Sequence, residues 1–396
     1  MQVTRIYKAL ASGIIPFEGA HAVHTPQPLV EEILTSLPAL GGRILVLFNV
    51  EFVASLVYTF NVPPQNIIMY SDHENKSEIC SKLGVKYITS LDTKMKKFDI
   101  IIGNPPFAIT NNSGKRDAAA NLWPMFVKKA EELTKKNGIF ALITPNGWIT
   151  PSADLGKGEA GLRVYNYMKK YTTIALNIEE CGKHFTEGST FTYFIIKKSE
   201  NTHCLTKLTS LSGTYQVDLS KVLYFPSIVN EYTLSLNSKI LVGDPIGFSN
   251  NNTPDSKKFE SELCAKEASA VKCYHSSAAG GSLKYSRYQG REKAAKKVMV
   301  CSSGNFLPIY DNGTMGFTSK IYVYYLRSGE TLKSIKSYLE SKVVKVILQS
   351  NKTSGWVSYA FRLLPRINFT KVWTDEELYD YFNLSEQERE YINANA

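Results

Sequence analysis

Two consecutive prolines stop an apolar strand in the run Phe98-Asp99-Ile100-Ile101-Ile102-Gly103-Asn104-Pro105-Pro106-Phe107. A segment this apolar reads as a strand buried on both faces of a sheet. Proline fixes its own φ, lacks an N–H, and biases the preceding residue toward extended backbone. The chain must therefore leave the sheet at Asn104, in a stiff turn whose carbonyls point in set directions. The Asn104 side-chain oxygen and the Pro105 carbonyl can then accept from one planar NH2 group. Two acceptors aimed this way favour a pyramidal nitrogen with its lone pair exposed. Phe107 adds an aromatic face for stacking. Asn104, Pro105, Pro106 and Phe107 are the catalytic candidates.

The first half of the chain alternates strand and helix patterns, which implies an α/β domain with a largely parallel sheet over residues 1–199. Strands are expected at Ile44–Phe48, Ile67–Tyr70, Val85–Thr89, Phe98–Gly103, Ile139–Ile143 and Thr190–Ile196. Helical patterns cover Glu51–Tyr58 and Leu122–Lys136, with Asn137-Gly138 as the stop of the latter. After about residue 200, short apolar stretches alternate with Ser, Asn and Gly, and helices become scarce until Thr331. This predicts a separate mixed α+β module over 200–370. A helical segment over 371–396 is marked by two capping boxes, Thr374-x-x-Glu377 and Ser385-x-x-Glu388.

Charge divides unevenly. The net is +10 over 396 residues. Thr374–Ala396 holds seven acids and one arginine, a net of −6, so the remainder carries +16. Such a remainder favours a polyanionic partner. The basic run Lys284-Tyr285-Ser286-Arg287-Tyr288-Gln289-Gly290-Arg291-Glu292-Lys293, with Lys296 and Lys297, interleaves six cations with two tyrosines and one acid. Its two readings are a nucleic-acid contact and a solvated surface. The six cysteines show no CxxC spacing and the six histidines no HExxH pattern. Reduced thiols of a cytoplasmic protein, with no metal site, are expected. No apolar run suggests a membrane span or a signal peptide.

With the Asn-Pro-Pro-Phe turn at a strand end, residues 15–199 resemble the adenine-N6 DNA methyltransferases. The order is that of the class placing cofactor motifs first, the catalytic loop next and a target-recognition domain last. The tail Leu364-Pro365-Arg366-Ile367-Asn368-Phe369 resembles them more loosely. The resemblance implies a Rossmann-like seven-stranded methyltransferase sheet and S-adenosylmethionine as cofactor. It implies double-stranded DNA as substrate, with the target adenine flipped out of the helix. Thr25 and Pro26 match the entry segment of this class; from the residues alone they read as an N-cap and first position of a helix. Asp72, after the second strand, falls where the family binds the cofactor ribose. Asp92 falls where it binds the cofactor adenine, with Ser90 as the alternative.

The first cofactor loop departs from the family. Phe48-Asn49-Val50-Glu51-Phe52 contains no glycine, although glycine normally supplies the positive φ needed there. Asn49 is the expected substitute in that conformation, and Glu51 the expected polar contact. By resemblance, Phe185 contacts the flipped base opposite Phe107, or else it is a core residue before a strand. Lys115 and Arg116, in a polar loop after the turn, are candidates for gripping a phosphate. Lys284, Arg287, Arg291, Lys293, Lys296 and Lys297 are the candidates in the second module. The glycine-free loop also leaves open a non-catalytic DNA-binding homologue. Methylation of RNA adenine or of cytosine N4 could use the same turn. Any restriction endonuclease would reside on a separate chain.

Overall fold

The computed structural model describes residues 24–71, 75–92, 94–110, 116–149, 159–178, 180–185, 191–200, 204–219, 221–222, 225–250, 253–277, 280–301, 306–352 and 358–396. The chain divides into two compact units, residues 1–149 with 153–221, and residues 150–152 with 222–396.

The first unit is built on β1 (Ile44–Leu47), β2 (Ile67–Tyr70), β3 (Lys86–Ile88), β4 (Phe98–Gly103), β7 (Thr134–Pro145), β8 (Tyr171–Asn177), β9 (Phe191–Glu200), β10 (Leu205–Ser210) and β11 (Gly213–Asp218). A small separate ribbon joins β5 (Ala108–Thr110) to β6 (Arg116–Asn121). The nine strands lie in the order β11-β10-β8-β9-β7-β4-β1-β2-β3. The expected count of seven is thus exceeded by the β10–β11 hairpin, which extends one side. This hairpin also moves the boundary. The sequence pattern places it at 199, whereas the first unit runs to Lys221.

β1 to β4 and β7 run parallel to one another, and β9 runs antiparallel to both β7 and β8. The carboxyl ends of β1, β2, β3, β4, β7 and β8 therefore share one edge with the start of β9. This is where open α/β sheets bind ligands. β1 is buried along its whole length. The helices of this unit are α1 (Gln27–Thr35), α2 (Val50–Tyr58), α3 (Asn75–Lys82), α4 (Trp123–Leu133) and α5 (Glu159–Lys170). In α2, residues Val50 to Leu56 are all buried. Burying each of its large apolar side chains stabilises the unit by about 1.5–3 kcal/mol.

Glycine at 103 has a steric cause. β4 passes so close to β1 that an added Cβ would lie 2.3 Å from the Leu47 carbonyl oxygen. The helix before β7 stops at Leu133, three residues before its expected end, and β7 begins at Thr134. Asn137 lies inside that strand with φ of 63°.

In the second unit, α6 (Glu231–Ile240) and α7 (Pro254–Ser261) precede most of the strands, so helices are less scarce than the composition suggests. The strands are β12 (Ser249–Asn250), β13 (Leu263–Cys264), β14 (Val271–Ser277), β15 (Gly280–Ser286), β16 (Lys296–Cys301), β17 (Ile309–Asn312), β18 (Gly316–Phe317) and β19 (Ile321–Tyr325). They form two four-stranded sheets, β12-β19-β16-β17 and β13-β15-β14-β18. α8 (Leu332–Leu339), α9 (Lys342–Ser350), α10 (Ser358–Leu363), α11 (Asp375–Tyr381) and α12 (Glu386–Asn395) follow. Both expected capping boxes are present, at Thr374/Glu377 and Ser385/Glu388. Leu378, Tyr379 and Ile392 join the same core as α8 and α9. The acidic segment over 371–396 is therefore part of the second unit rather than an appendage.

Candidate active site

Asn104 leaves the end of β4 and is 2% exposed, with Pro105 and Pro106 buried behind it. Its backbone N–H donates to Asn49 Oδ1 at 2.9 Å. Its Nδ2 donates to Thr25 Oγ1 at 3.2 Å. Asn49 Nδ2 donates to the same Thr25 Oγ1 at 3.2 Å. Asn104 Oδ1 is buried and has no hydrogen-bond partner among the described residues. A buried acceptor left unpaired costs about 1–3 kcal/mol, so a strained or functional role is the usual reason for one.

The segment ahead of α1 is tied to the same place. Glu51, 1% exposed in the first turn of α2, accepts from the Thr25 N–H at 3.2 Å and from the His24 ring Nδ1 at 2.7 Å. Thr25 does not cap α1. The helix starts one residue later than expected, and Pro26 occupies the cap position with no side-chain hydrogen bond. Asn49, at the cap of α2, likewise caps nothing with its side chain.

The glycine-free loop resolves differently from expectation. Phe48, not Asn49, takes the positive φ, at 68°, while Asn49 is extended at φ −106°. The Asn49 N–H donates to Leu47 O at 3.0 Å, closing a three-residue turn of the rarer, strained hand. Such backbone costs about 1–3 kcal/mol. The Phe48 ring compensates. It packs edge-on against Tyr70 at 5.1 Å and Phe126 at 4.8 Å, contacts each worth about 0.5–1.5 kcal/mol. The Phe48 carbonyl accepts from Lys76 Nζ at 2.6 Å.

Phe107 and Phe185 are both half-buried, and both pack on Phe191 at the start of β9. The ring centroids lie 5.3 Å and 4.4 Å from that of Phe191. The structure thus brings Phe185 to the Phe107 cluster, and it also serves the core. Below them, Glu32 Oε1 accepts from Tyr193 Oη at 2.6 Å and from Asn177 Nδ2 at 3.3 Å. Burial, and then the neighbouring Glu32 carboxylate, push the Tyr193 hydroxyl well above its ordinary pKa.

Other expected residues fare unevenly. Asp92 is exposed beyond β3, and its Oδ1 accepts from the Lys94 N–H at 2.8 Å, as in an ordinary turn. Asp72 and Lys115 lie outside the described residues. Arg116 opens β6 and pairs with Thr110. In the second unit, Lys297 is no surface cation. It is fully buried and pairs with Asp311 at 2.5 Å. Arg287 is engaged by Glu267 at 2.7 Å, and Lys293 Nζ donates to Gln289 Oε1 at 2.6 Å. Lys284, Arg291 and Lys296 are exposed. An open cavity of about 930 Å³ lies at the opposite edge of the first sheet, lined by Lys97, Lys135, Tyr171 and Lys198 among others. Two of its lysines are bound locally, Lys135 to Asp99 at 2.7 Å and Lys198 to Glu131 at 3.2 Å. Among the described residues no three metal-ligating side chains converge, and no helix is long and apolar enough to cross a membrane.

Residues 61–179, which run from before β2 to the end of β8 and include the Asn104 turn, match the Eco57I restriction-modification methylase family. The match begins after the glycine-free loop. A 137-residue stretch is 28% identical to an uncharacterized adenine-specific methylase of Mycoplasma pneumoniae, covering 34% of this chain and 32% of that protein. The chain thus spans about a third of that relative's length. Among solved structures, the methyltransferase subunit of a type I restriction-modification system from Streptococcus thermophilus is 14% identical, with a TM-score of 0.41 over 55% of each chain. The type IIG restriction endonuclease BpuSI is 10% identical, with a TM-score of 0.44 over 100% of this chain and 68% of its own. Asn104 and Phe107, singled out from the sequence, fall within the matched segment. The sequence did not point to His24, Phe48 or Phe191, whose contacts with Glu51, Phe126 and Phe107 form only in the fold.

Proposed function

We propose that this chain transfers the methyl group of S-adenosylmethionine to the N6 amino group of an adenine in double-stranded DNA. The observation that carries the proposal is the buried, unpartnered Oδ1 of Asn104 in an Asn-Pro-Pro-Phe turn. In this reading Asn104 Oδ1 accepts one N–H of the amino group and the Pro105 carbonyl accepts the other. The nitrogen lone pair is left to attack, and positioning does most of the catalytic work. Phe107 stacks on the base. The base must leave the duplex to arrive there, at a cost of a few kcal/mol that stacking partly offsets.

The same edge fits the cofactor in its donor chemistry. α2 begins with no side-chain cap hydrogen bond, and the N–H groups at a helix start suit a carboxylate. Asp72 and Asp92, which follow β2 and β3 in sequence, are the proposed ribose and adenine contacts. When bound, S-adenosylmethionine supplies an already activated methyl group. The second unit is the proposed target-recognition domain, with exposed Lys284, Arg291 and Lys296 meeting phosphates, and Lys115 and Arg116 doing so beside the flipped base.

The test is incubation with methyl-labelled S-adenosylmethionine and unmethylated duplex DNA, followed by digestion to nucleosides. Label in N6-methyladenine is expected. Label in N4-methylcytosine would keep the mechanism and change the base. A folded protein that labels no DNA would overturn the proposal.

A further inference from the structure

We infer that Thr25 and Asn49 are positioning residues for Asn104, not merely parts of a cofactor pocket. The inference rests on the reading of Asn104 as the acceptor of the substrate amine. Three side chains from three separate stretches of sequence meet on one hydroxyl. Thr25 Oγ1 accepts from Asn49 Nδ2 and from Asn104 Nδ2, each at 3.2 Å. Asn49 Oδ1 accepts from the Asn104 backbone N–H at 2.9 Å. That last bond has an unambiguous donor, so it fixes which end of the Asn49 amide faces Asn104. The Nδ2 end must then face Thr25. With its backbone held by Asn49 and its Nδ2 by Thr25, the Asn104 amide is held in place, and its Oδ1 is the atom left over.

The hydroxyl is itself held. The Thr25 N–H donates to Glu51 Oε1 at 3.2 Å, and the adjacent His24 ring reaches the same oxygen at 2.7 Å. Thr25, Asn49, Glu51 and Asn104 are each at most 2% exposed, while the His24 ring is partly exposed. An amide free to turn would present NH2 to the substrate half the time, a donor against a donor. The Thr25–Asn49 pair limits that turning before the substrate arrives, which is where preorganisation acts.

The test compares Thr25→Val, which keeps the shape but loses the acceptor, with Thr25→Ser, which keeps it. Single-turnover methyl transfer is measured at saturating cofactor and DNA, with both dissociation constants. The expected result is a fall of about ten- to a hundredfold in rate for Thr25→Val. Both Kd values should stay within about twofold, the split that marks an interaction made in the transition state. Thr25→Ser should restore most of the rate. An unchanged Val rate, or a loss confined to cofactor Kd, overturns the inference. If Thr25→Val does not fold, Thr25→Cys, whose thiol is a weak acceptor, takes its place.

A second readout does not depend on activity. The Asn104 side-chain amide resonance, assigned by its disappearance in Asn104→Ala, should exchange with solvent slowly in the native protein and faster in Thr25→Val. Equal exchange overturns the inference. A native protein that transfers no label to DNA would instead sink the proposed function, while the exchange comparison would still decide the positioning role.

Discussion

Each unit buries a tight cluster of polar side chains, one around Lys297 and one around Asn104, and the two are finished differently. In the second unit, Lys297 Nζ donates to Asp311 Oδ2, Lys293 O and Ala295 O. That uses all three ammonium hydrogens. Asp311 Oδ2 also accepts from the Met315 N–H, and its Oδ1 accepts from the Thr314 N–H and hydroxyl. Nothing in that pair is left to meet a ligand. In the first unit, Thr25, Asn49 and Asn104 satisfy one another except at Asn104 Oδ1. A closed cluster is fastening. An open one sacrifices stability at a single atom, and that atom is the place to look for chemistry.

The contrast breaks most visibly at Lys297. Lys297→Met should destabilise the second unit by about 3–5 kcal/mol, because Asp311 would be buried without its cation. Urea unfolding measures this, and a loss below about 1 kcal/mol would show that the pair is not the fastening described. Asn104→Ala should do the reverse. Methyl transfer should drop by about 10²–10³-fold, the scale for one preorganised hydrogen-bonding group, with the unfolding midpoint nearly unchanged. A collapse of stability there would make both clusters structural.

Acid sharpens the comparison further. Burial alone would raise the Asp311 pKa, but the Lys297 and Thr314 hydrogen bonds outweigh it and hold the carboxyl below its ordinary value of 3.8. A depressed folded pKa gives stability that is complete above the unfolded value and disappears as pH falls through the lower, folded one. The second unit should therefore lose stability below about pH 4, and Lys297→Met should flatten that profile. The smallest effect concerns exposed cations. Replacing Lys284 and Lys296 by Gln should reduce the salt slope of DNA binding by about two, near one per phosphate contact. Arg287→Gln should barely move it, because Glu267 already holds that guanidinium.

Much of the first unit was readable because its strands are continuous apolar runs with abrupt ends. The Ile44–Leu47, Ile67–Tyr70 and Phe98–Gly103 strands have the expected places, and the Asn104 turn has its own. The β10–β11 hairpin was not readable as part of the sheet. Its alternation around Leu205–Asp218 is that of a half-exposed strand pair, which suits either module. Lys297 was misread for a similar reason. Composition sees a cation in a basic run, but β16 is buried from Lys297 to Cys301, and there the ammonium meets Asp311, fourteen positions away in sequence. Asn49 was given the positive φ because its residue type tolerates it. The ring contacts of Phe48 outweigh that preference, and no local pattern reports them.

The wedged Phe48 ring has a calorimetric consequence. A glycine at that bend would sample many shapes and surrender that freedom whenever a ligand settled against it. Here the bend is already cast by Tyr70 and Phe126. A ligand docking at the end of β1 therefore meets a rigid wall, and its association should carry little ordering entropy from that loop. Replacing Phe48 with glycine would transfer that cost to the moment of binding.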